Sequence, residues 1–197
     1  MIHSIIPVID YRKIADAKDY YEQFGFGEIS VPWIVGHQAY LSTRPPLAFN
    51  RREFYTLDGY LNASGEQGFI ELMLNGYVLN KHCCVTACYR DEVPDELHHS
   101  YFVKLELIDT EATEVNMFRM IGLAEHFFNR YFSSHPVRII ETQDSEVSYD
   151  IVDGIDGIEL GSYGIRHYKD LRWIYGTGLA LPRLDTILAM RGLLSSS

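Results

Sequence analysis

"CYRDEVPDELHHSYFVKLE", Cys88–Glu106, places an arginine, five acids and two histidines between two runs of alternating apolar character. On one side "CCVTACYRDE" and on the other "SYFVKLELID" read as β-strands, rich in β-branched and aromatic residues at period two. Two strands joined by a polar loop make a hairpin, so this stretch decides for antiparallel pairing. Alternation sets Arg90 and Glu92 on one face of the first strand, and Phe102, Lys104 and Glu106 on one face of the second. If those faces coincide, the guanidinium can hold a phosphate, the ring can stack on a base, and a carboxylate can accept from an exocyclic amine. The same residues also suit a solvated hairpin with one aromatic packed beneath it. This segment alone leaves both readings open.

Working outward, residues 11–24, "YRKIADAKDYYEQF", have the pattern of an amphipathic helix closed by Gly25. "GEISVPWIV" follows as a β-branched run broken by Pro32, which points to a strand edge or an interface. "RPPLAFNRRE" reads as a loop, and "YLNASGEQGFIELMLNGYV" as a short strand, a turn at Ser64-Gly65 and a helix ending at Gly76. "TEVNMFRMIGLAEHFFNRYF" is the clearest helix. Strands are expected around "SYDIVD" and "GIELGSYGI", and "WIYGTGLALPRLDTILAMRG" reads as a glycine-bearing turn running into a helix. Strands joined by hairpin-like loops, with helices on one side, predict an α+β fold built on an antiparallel sheet.

With 197 residues and 47% apolar composition, the chain is expected to form one domain over 1–197. Nothing approaches a membrane span, and "MIHSIIPVIDYRK" lacks the basic region of a secretory signal. Cys83, Cys84 and Cys88 are odd in number, which argues against a disulfide framework and for a reducing, cytoplasmic setting. With His82 they suggest a metal site, but no second half exists, and Val85, Ala87 and Tyr89 alternate with them as in a buried strand. The net charge of −10 repels polyanions at long range and argues against a dedicated nucleic-acid binder. A few arginines inside a cleft can still hold a nucleotide.

Three segments in order resemble the signature motifs of the class II aminoacyl-tRNA synthetase catalytic core and its adenylate-forming paralogues. "FGFGEISVPWIV" is similar to motif 1, the dimer-forming element ending in proline. "YRDEVPDELHHSYFVKLE" is similar to motif 2, with Arg-x-Glu, a loop containing histidine, and Phe four residues before Glu. "GTGLALPRLDTI" is similar to motif 3, a glycine-bearing strand followed by arginine at the head of a helix.

The resemblance implies an antiparallel sheet flanked by helices, carrying ATP bent across it. Arg90 would hold the α-phosphate and the substrate carboxylate, Glu92 the adenine amino group, and Phe102 the face of the ring. Arg183 would cover the adenine and reach the γ-phosphate, His98 would close over the pyrophosphate, and Glu106 occupies a late acidic position of less defined role. Gly176 and Gly178 would let the backbone approach the nucleotide; Ala180 stands where a third glycine is common. Glu66 in "ASGEQ" would bind the substrate ammonium, although a glutamate at a helix N-terminus is also favoured by the dipole. "YDIVDGIDGIELGSYGIR" resembles the aspartate and asparagine branch and the ammonia-dependent asparagine synthetase. There Asp150 and Glu159 would bind Mg²⁺, with Asp153 or Asp156 as substitutes for Asp150, and Arg166 would face the substrate side chain.

The implied reaction is attack of a carboxylate on ATP to give an acyl-adenylate, with a homodimer formed through the Pro32 region. Neither an anticodon-binding domain nor a basic flank for an acceptor stem is expected within these 197 residues. The expectation is therefore transfer to ammonia, a protein or a small molecule. Charging of tRNA by a minimal synthetase, or a non-catalytic subunit that binds an amino acid or nucleotide, are the alternatives.

Overall fold

A computed structural model describes residues 8–44 and 52–193. The loop expected over 44–53 and the serine tail fall largely or wholly outside them. The hairpin of the opening stretch forms as its alternation requires. β5 (Lys81–Tyr89) and β6 (Tyr101–Asp109) pair antiparallel, with Cys84 opposite Glu106, Thr86 opposite Lys104 and Cys88 opposite Phe102. Arg90 and Glu92 lie just past the end of β5 and not within it. The Arg90 N–H still donates to the Ser100 carbonyl at 3.0 Å, which carries the ladder one rung further.

This hairpin belongs to a seven-stranded sheet ordered β1-β5-β6-β10-β9-β8-β7. The other members are β1 (Gly27–Glu28), β7 (Arg138–Thr142), β8 (Val147–Val152), β9 (Glu159–Tyr168) and β10 (Leu171–Leu181). Every neighbouring pair is antiparallel except β1 with β5, which is parallel. Two strands correct the sequence reading. Residues 173–181, a turn by local pattern but a strand in the likeness to motif 3, form most of β10, the central strand, paired with β6 and β9. Glycine weakens local strand preference, and pairing on both sides overrides it. β7 was not expected. It is an edge strand exposed along most of its length, so it carries no burial pattern to read.

Helices cover both faces of the sheet, not one. α1 (Tyr11–Glu22), α4 (Glu114–Asn129) and α5 (Arg183–Met190) pack on one face through Tyr21, Met117, Met120, Phe127, Phe128 and Leu184 against Leu105, Ile165, Ile174 and Leu179. Each such side chain taken fully out of water stabilises the fold by about 1.5–3 kcal/mol. Asp10 caps α1 by accepting the Arg12 N–H at 3.0 Å, and Gly25 at φ 87° reverses the chain after it. On the opposite face α2 (His37–Ser42) and α3 (Gly65–Leu74) bury Tyr40, Phe69 and Ile70 against Trp173 and Ile108. Beside them lies a small antiparallel sheet, β2 (Ile34–Val35), β4 (Gly59–Leu61) and β3 (Tyr55–Thr56), in that spatial order.

Cys83 and Cys84 point into opposite cores, as alternation demands, and all three cysteines are free and buried. Burial pushes the thiols up, Cys83 to about 11 and Cys88 to about 12. Among the described residues no cluster of three or more His, Cys, Asp or Glu could surround a metal, and no helix is long and apolar enough to cross a membrane.

Candidate active site

α2 and α3 leave part of their face of the sheet uncovered, and a cavity of about 510 Å³ opens there. Its walls combine residues far apart in sequence: Arg90 and Glu92 after β5, Phe102 and Glu106 from β6, Arg166 from β9, and Arg183 at the head of α5. His98, Glu66 and Glu159 also line it. Arg90 and Arg183, 93 positions apart, therefore face one space.

Arg90 is held at two points. Its Nε donates to the Ala63 carbonyl at 2.9 Å, and its guanidinium lies 5.1 Å from the centre of the Phe102 ring. Arg183 forms an ion pair with Glu159 at 3.3 Å. His98 is exposed at the rim, with Nδ1 2.8 Å from Asp95. The imidazole, then the backbone N–H groups of Leu97 and His98, hold the Asp95 carboxyl down to about 2. His99, beside it, is buried, and desolvation lowers its imidazole.

The floor contains two buried ion pairs. Glu66 stands in the first turn of α3, where Ser64 caps the helix. One Glu66 oxygen accepts the Trp173 indole N–H at 2.7 Å and the other accepts Arg166. Burial pushes the Glu66 carboxyl up, with the Arg166 charge and the Trp173 bond opposing. Arg166 also stacks over the Tyr175 ring at 3.9 Å, an additional cation–π contact. Next to this pair, Lys104 Nζ lies 2.8 Å from Glu106, which also accepts the Ser64 hydroxyl at 2.5 Å. The two residues expected to meet the substrate, Glu66 and Arg166, thus meet each other.

Asp150 sits behind the cavity wall, bonded to Ser162, which lines it. Burial and then the charge of Glu159 push its carboxyl up to about 6. Its Oδ1 is buried with no hydrogen-bond partner. Asp153 and Asp156, the alternatives to it, are engaged elsewhere. Asp153 is buried in a turn, where it accepts the N–H groups of Ile155, Asp156 and Ile158 and pairs with Arg191 at 3.0 Å. Asp156 is exposed and pairs with Arg191 at 2.7 Å.

The two glycines of β10 have their open side away from the cleft. A side chain at Gly176 would strike Met120 and Tyr163, and one at Gly178 would strike Leu105 and Tyr21, all on the face packed by α1, α4 and α5. Their absent side chains admit the α1 and α4 layer. Ala180 does point into the cavity, so its methyl group takes up cleft space. Trp173, Tyr175 and Thr177 were not singled out from the sequence. Extending period-two alternation back from Thr177 places all three on the cleft face.

Comparison with solved structures identifies the fold. The seryl-tRNA synthetase of Pyrococcus horikoshii complexed with ATP aligns with a TM-score of 0.73 at 18% identity, covering 91% of this chain and 49% of that one. The cytoplasmic serine-tRNA ligase of Naegleria fowleri in complex with AMP aligns at 0.72 and 18%, covering 90% and 47%. The fold is that of a class II synthetase core. PylSc of Desulfitobacterium hafniense, a pyrrolysyl tRNA synthetase, shares this core at 0.66 and 18% identity, covering 97% of this chain and 70% of its own. The chain thus spans about half the length of the seryl structures. No protein-family model and no curated protein matches the sequence. The likeness to the class II core extends over nearly the whole chain and is one of fold.

Proposed function

We propose that this chain uses ATP to activate an amino acid as its acyl-adenylate. The observation that carries the reading is the convergence of Arg90, Phe102, Arg183, Glu66 and Arg166 on one cavity. In the reaction, a carboxylate oxygen of the amino acid attacks the α-phosphorus of ATP. The bond to the bridging oxygen of the β-phosphate breaks, and pyrophosphate leaves with the electron pair. A carboxylate is already ionised at neutral pH, so neither a general base nor a covalent nucleophile is required. Catalysis then comes from positioning and from charge aimed at the forming transition state. Arg90 holds the α-phosphate and the substrate carboxylate, and Phe102 and Arg183 sandwich the adenine. Glu92 accepts its amino group, and His98 covers the pyrophosphate end. Glu66 accepts the substrate ammonium. Arg90 swings off the Phe102 ring when the base enters.

Asp150 and Glu159 are the residues that would hold a Mg²⁺ ion. The orphaned Asp150 Oδ1 and the mutual repulsion of two carboxylates fit a hard cation, which takes one or two carboxylates together with phosphate oxygens. Bound there, the ion would neutralise phosphate charge. The aspartate-branch reading needs Arg166 for a substrate side-chain carboxylate, and its pairing with Glu66 argues against that branch. The acceptor is a non-tRNA molecule such as ammonia, a protein or a small metabolite; the net charge of −10 supports this by repelling a polyanion. A second copy of the chain covers Trp33 and Ile34, which stand 53% and 39% exposed beside Pro32.

The test is ATP–pyrophosphate exchange screened over all twenty amino acids. Exchange with at least one is expected, reduced about a hundredfold or more in Arg90→Ala and Arg183→Ala. Intact ATP binding with no exchange for any amino acid overturns the activation reading in favour of a binding module.

A further inference from the structure

We propose that the amino acid accepted by this cleft has an uncharged side chain. The proposal rests on the activation reading and narrows its substrate class. It follows from how charge is arranged on the cleft floor. Four charged side chains lie there, two acids and two cations, and each is already engaged. Glu66 accepts from both Arg166 and Trp173, one on each oxygen, so it is a carboxylate with its counter-charge in place. Glu106 accepts Lys104 at 2.8 Å and the Ser64 hydroxyl at 2.5 Å. The side chains of the first pair are 5% and 19% exposed and those of the second 3% and 11%, so water does little to screen them.

The other polar side chains packed against the floor are neutral, and the nearby acids sit on the β7–β8 turn. Gln67 is engaged at both ends, its Nε2 donating to the Tyr40 carbonyl at 2.9 Å and its Oε1 accepting the Ala63 N–H at 2.8 Å. Ser162, Thr177 and Tyr175 supply hydroxyls. The β7–β8 turn brings Ser145 Oγ within 3.4 Å of the Tyr175 hydroxyl, and the acids flanking Ser145, Asp144 and Glu146, line the same cavity. Glu146 is paired with Arg172 at 3.1 Å. A substrate zwitterion adds no net charge to this balance, its carboxylate on Arg90 and its ammonium sharing Glu66 with Arg166. A side-chain carboxylate would lie in a low-dielectric floor whose cations are taken, under two further acids. A side-chain ammonium or guanidinium would add a third cation to a floor whose carboxylates already have partners, since Asp144 belongs to the β7–β8 turn and not to the floor. Either leaves a buried charge uncompensated, which is costly.

Wild-type exchange and calorimetric binding are measured with every amino acid. Aspartate, glutamate, lysine and arginine are expected roughly a hundredfold or more below the best uncharged amino acid in both. Exchange with aspartate or any other charged side chain within tenfold of the best overturns the proposal and leaves the activation reading standing. Selective binding of uncharged amino acids without exchange supports this proposal and defeats activation. Binding of no amino acid overturns both. Glu106→Gln supplies an independent arm, because it strips Lys104 of its carboxylate. The aspartate-to-alanine ratio is expected to rise at least about tenfold in this variant, and an unchanged ratio counts against the floor as the source of selectivity.

Discussion

Arg166→Met tests the buried pair at the base of the cleft. Glu66 is 4% exposed, and the substitution leaves its carboxylate with the Trp173 indole alone. Removing one partner of a buried ion pair costs about 3–5 kcal/mol, because the other charge stays desolvated. In a chain of this size each kcal/mol moves the melting temperature by about 2–4 °C, so a fall of roughly 6–20 °C is expected near neutral pH. The cost must also depend on pH. Burial already raises Glu66 above its ordinary value, and losing the guanidinium raises it further. The native state of the variant then holds a proton that the unfolded chain releases once pH exceeds about 4.3. Its stability therefore falls as pH rises from there through the folded value, by up to about 1.4 kcal/mol per pH unit. Thermal melts of wild type and variant at pH 5 and pH 8 should show the larger gap at pH 8. Glu66→Leu combined with Arg166→Met should recover most of the loss, since no unpaired charge remains. A gap equal at both pH values, or a double variant as unstable as the single one, would refute the reasoning.

Gly178→Ala drives a Cβ into Leu105 Cδ2 and to 2.8 Å from the Tyr21 ring, so it should destabilise by about 1–3 kcal/mol in urea unfolding. A neutral effect would mean that the α1 layer yields more easily than its packing suggests. Asp150→Asn removes a carboxyl raised to about 6 by burial and by Glu159. A raised acid loses stability from its unfolded value up through its folded value, so this variant should gain melting temperature over wild type at both pH values, about twice as much at pH 8 as at pH 5. A gain of the same size at both would contradict the assignment. Phe102→Ala should weaken ATP binding by about 1–3 kcal/mol in calorimetry while sparing amino-acid binding, and equal loss of both would remove Phe102 from the adenine face.

The parts of this protein legible in one dimension are those set by local alternation and by end signals. The β5–β6 hairpin, α1 with its Gly25 stop, and α3 between Ser64 and Gly76 follow from side-chain period and capping, which act within a few residues. The cleft-facing places of Phe102, Lys104 and Glu106 follow from the same period. Strand β10 was obscured because its glycines answer to Met120, Tyr163, Leu105 and Tyr21, neighbours from distant segments. Edge strand β7 was missed because an exposed strand has no buried face to reveal it. Arg90, Arg166 and Arg183 could be nominated one by one from sequence, but not the engagement of Arg166 by Glu66. That contact joins residues 100 positions apart, and only packing of α3 over the sheet determines whether two opposite charges end up within reach of each other or of a ligand.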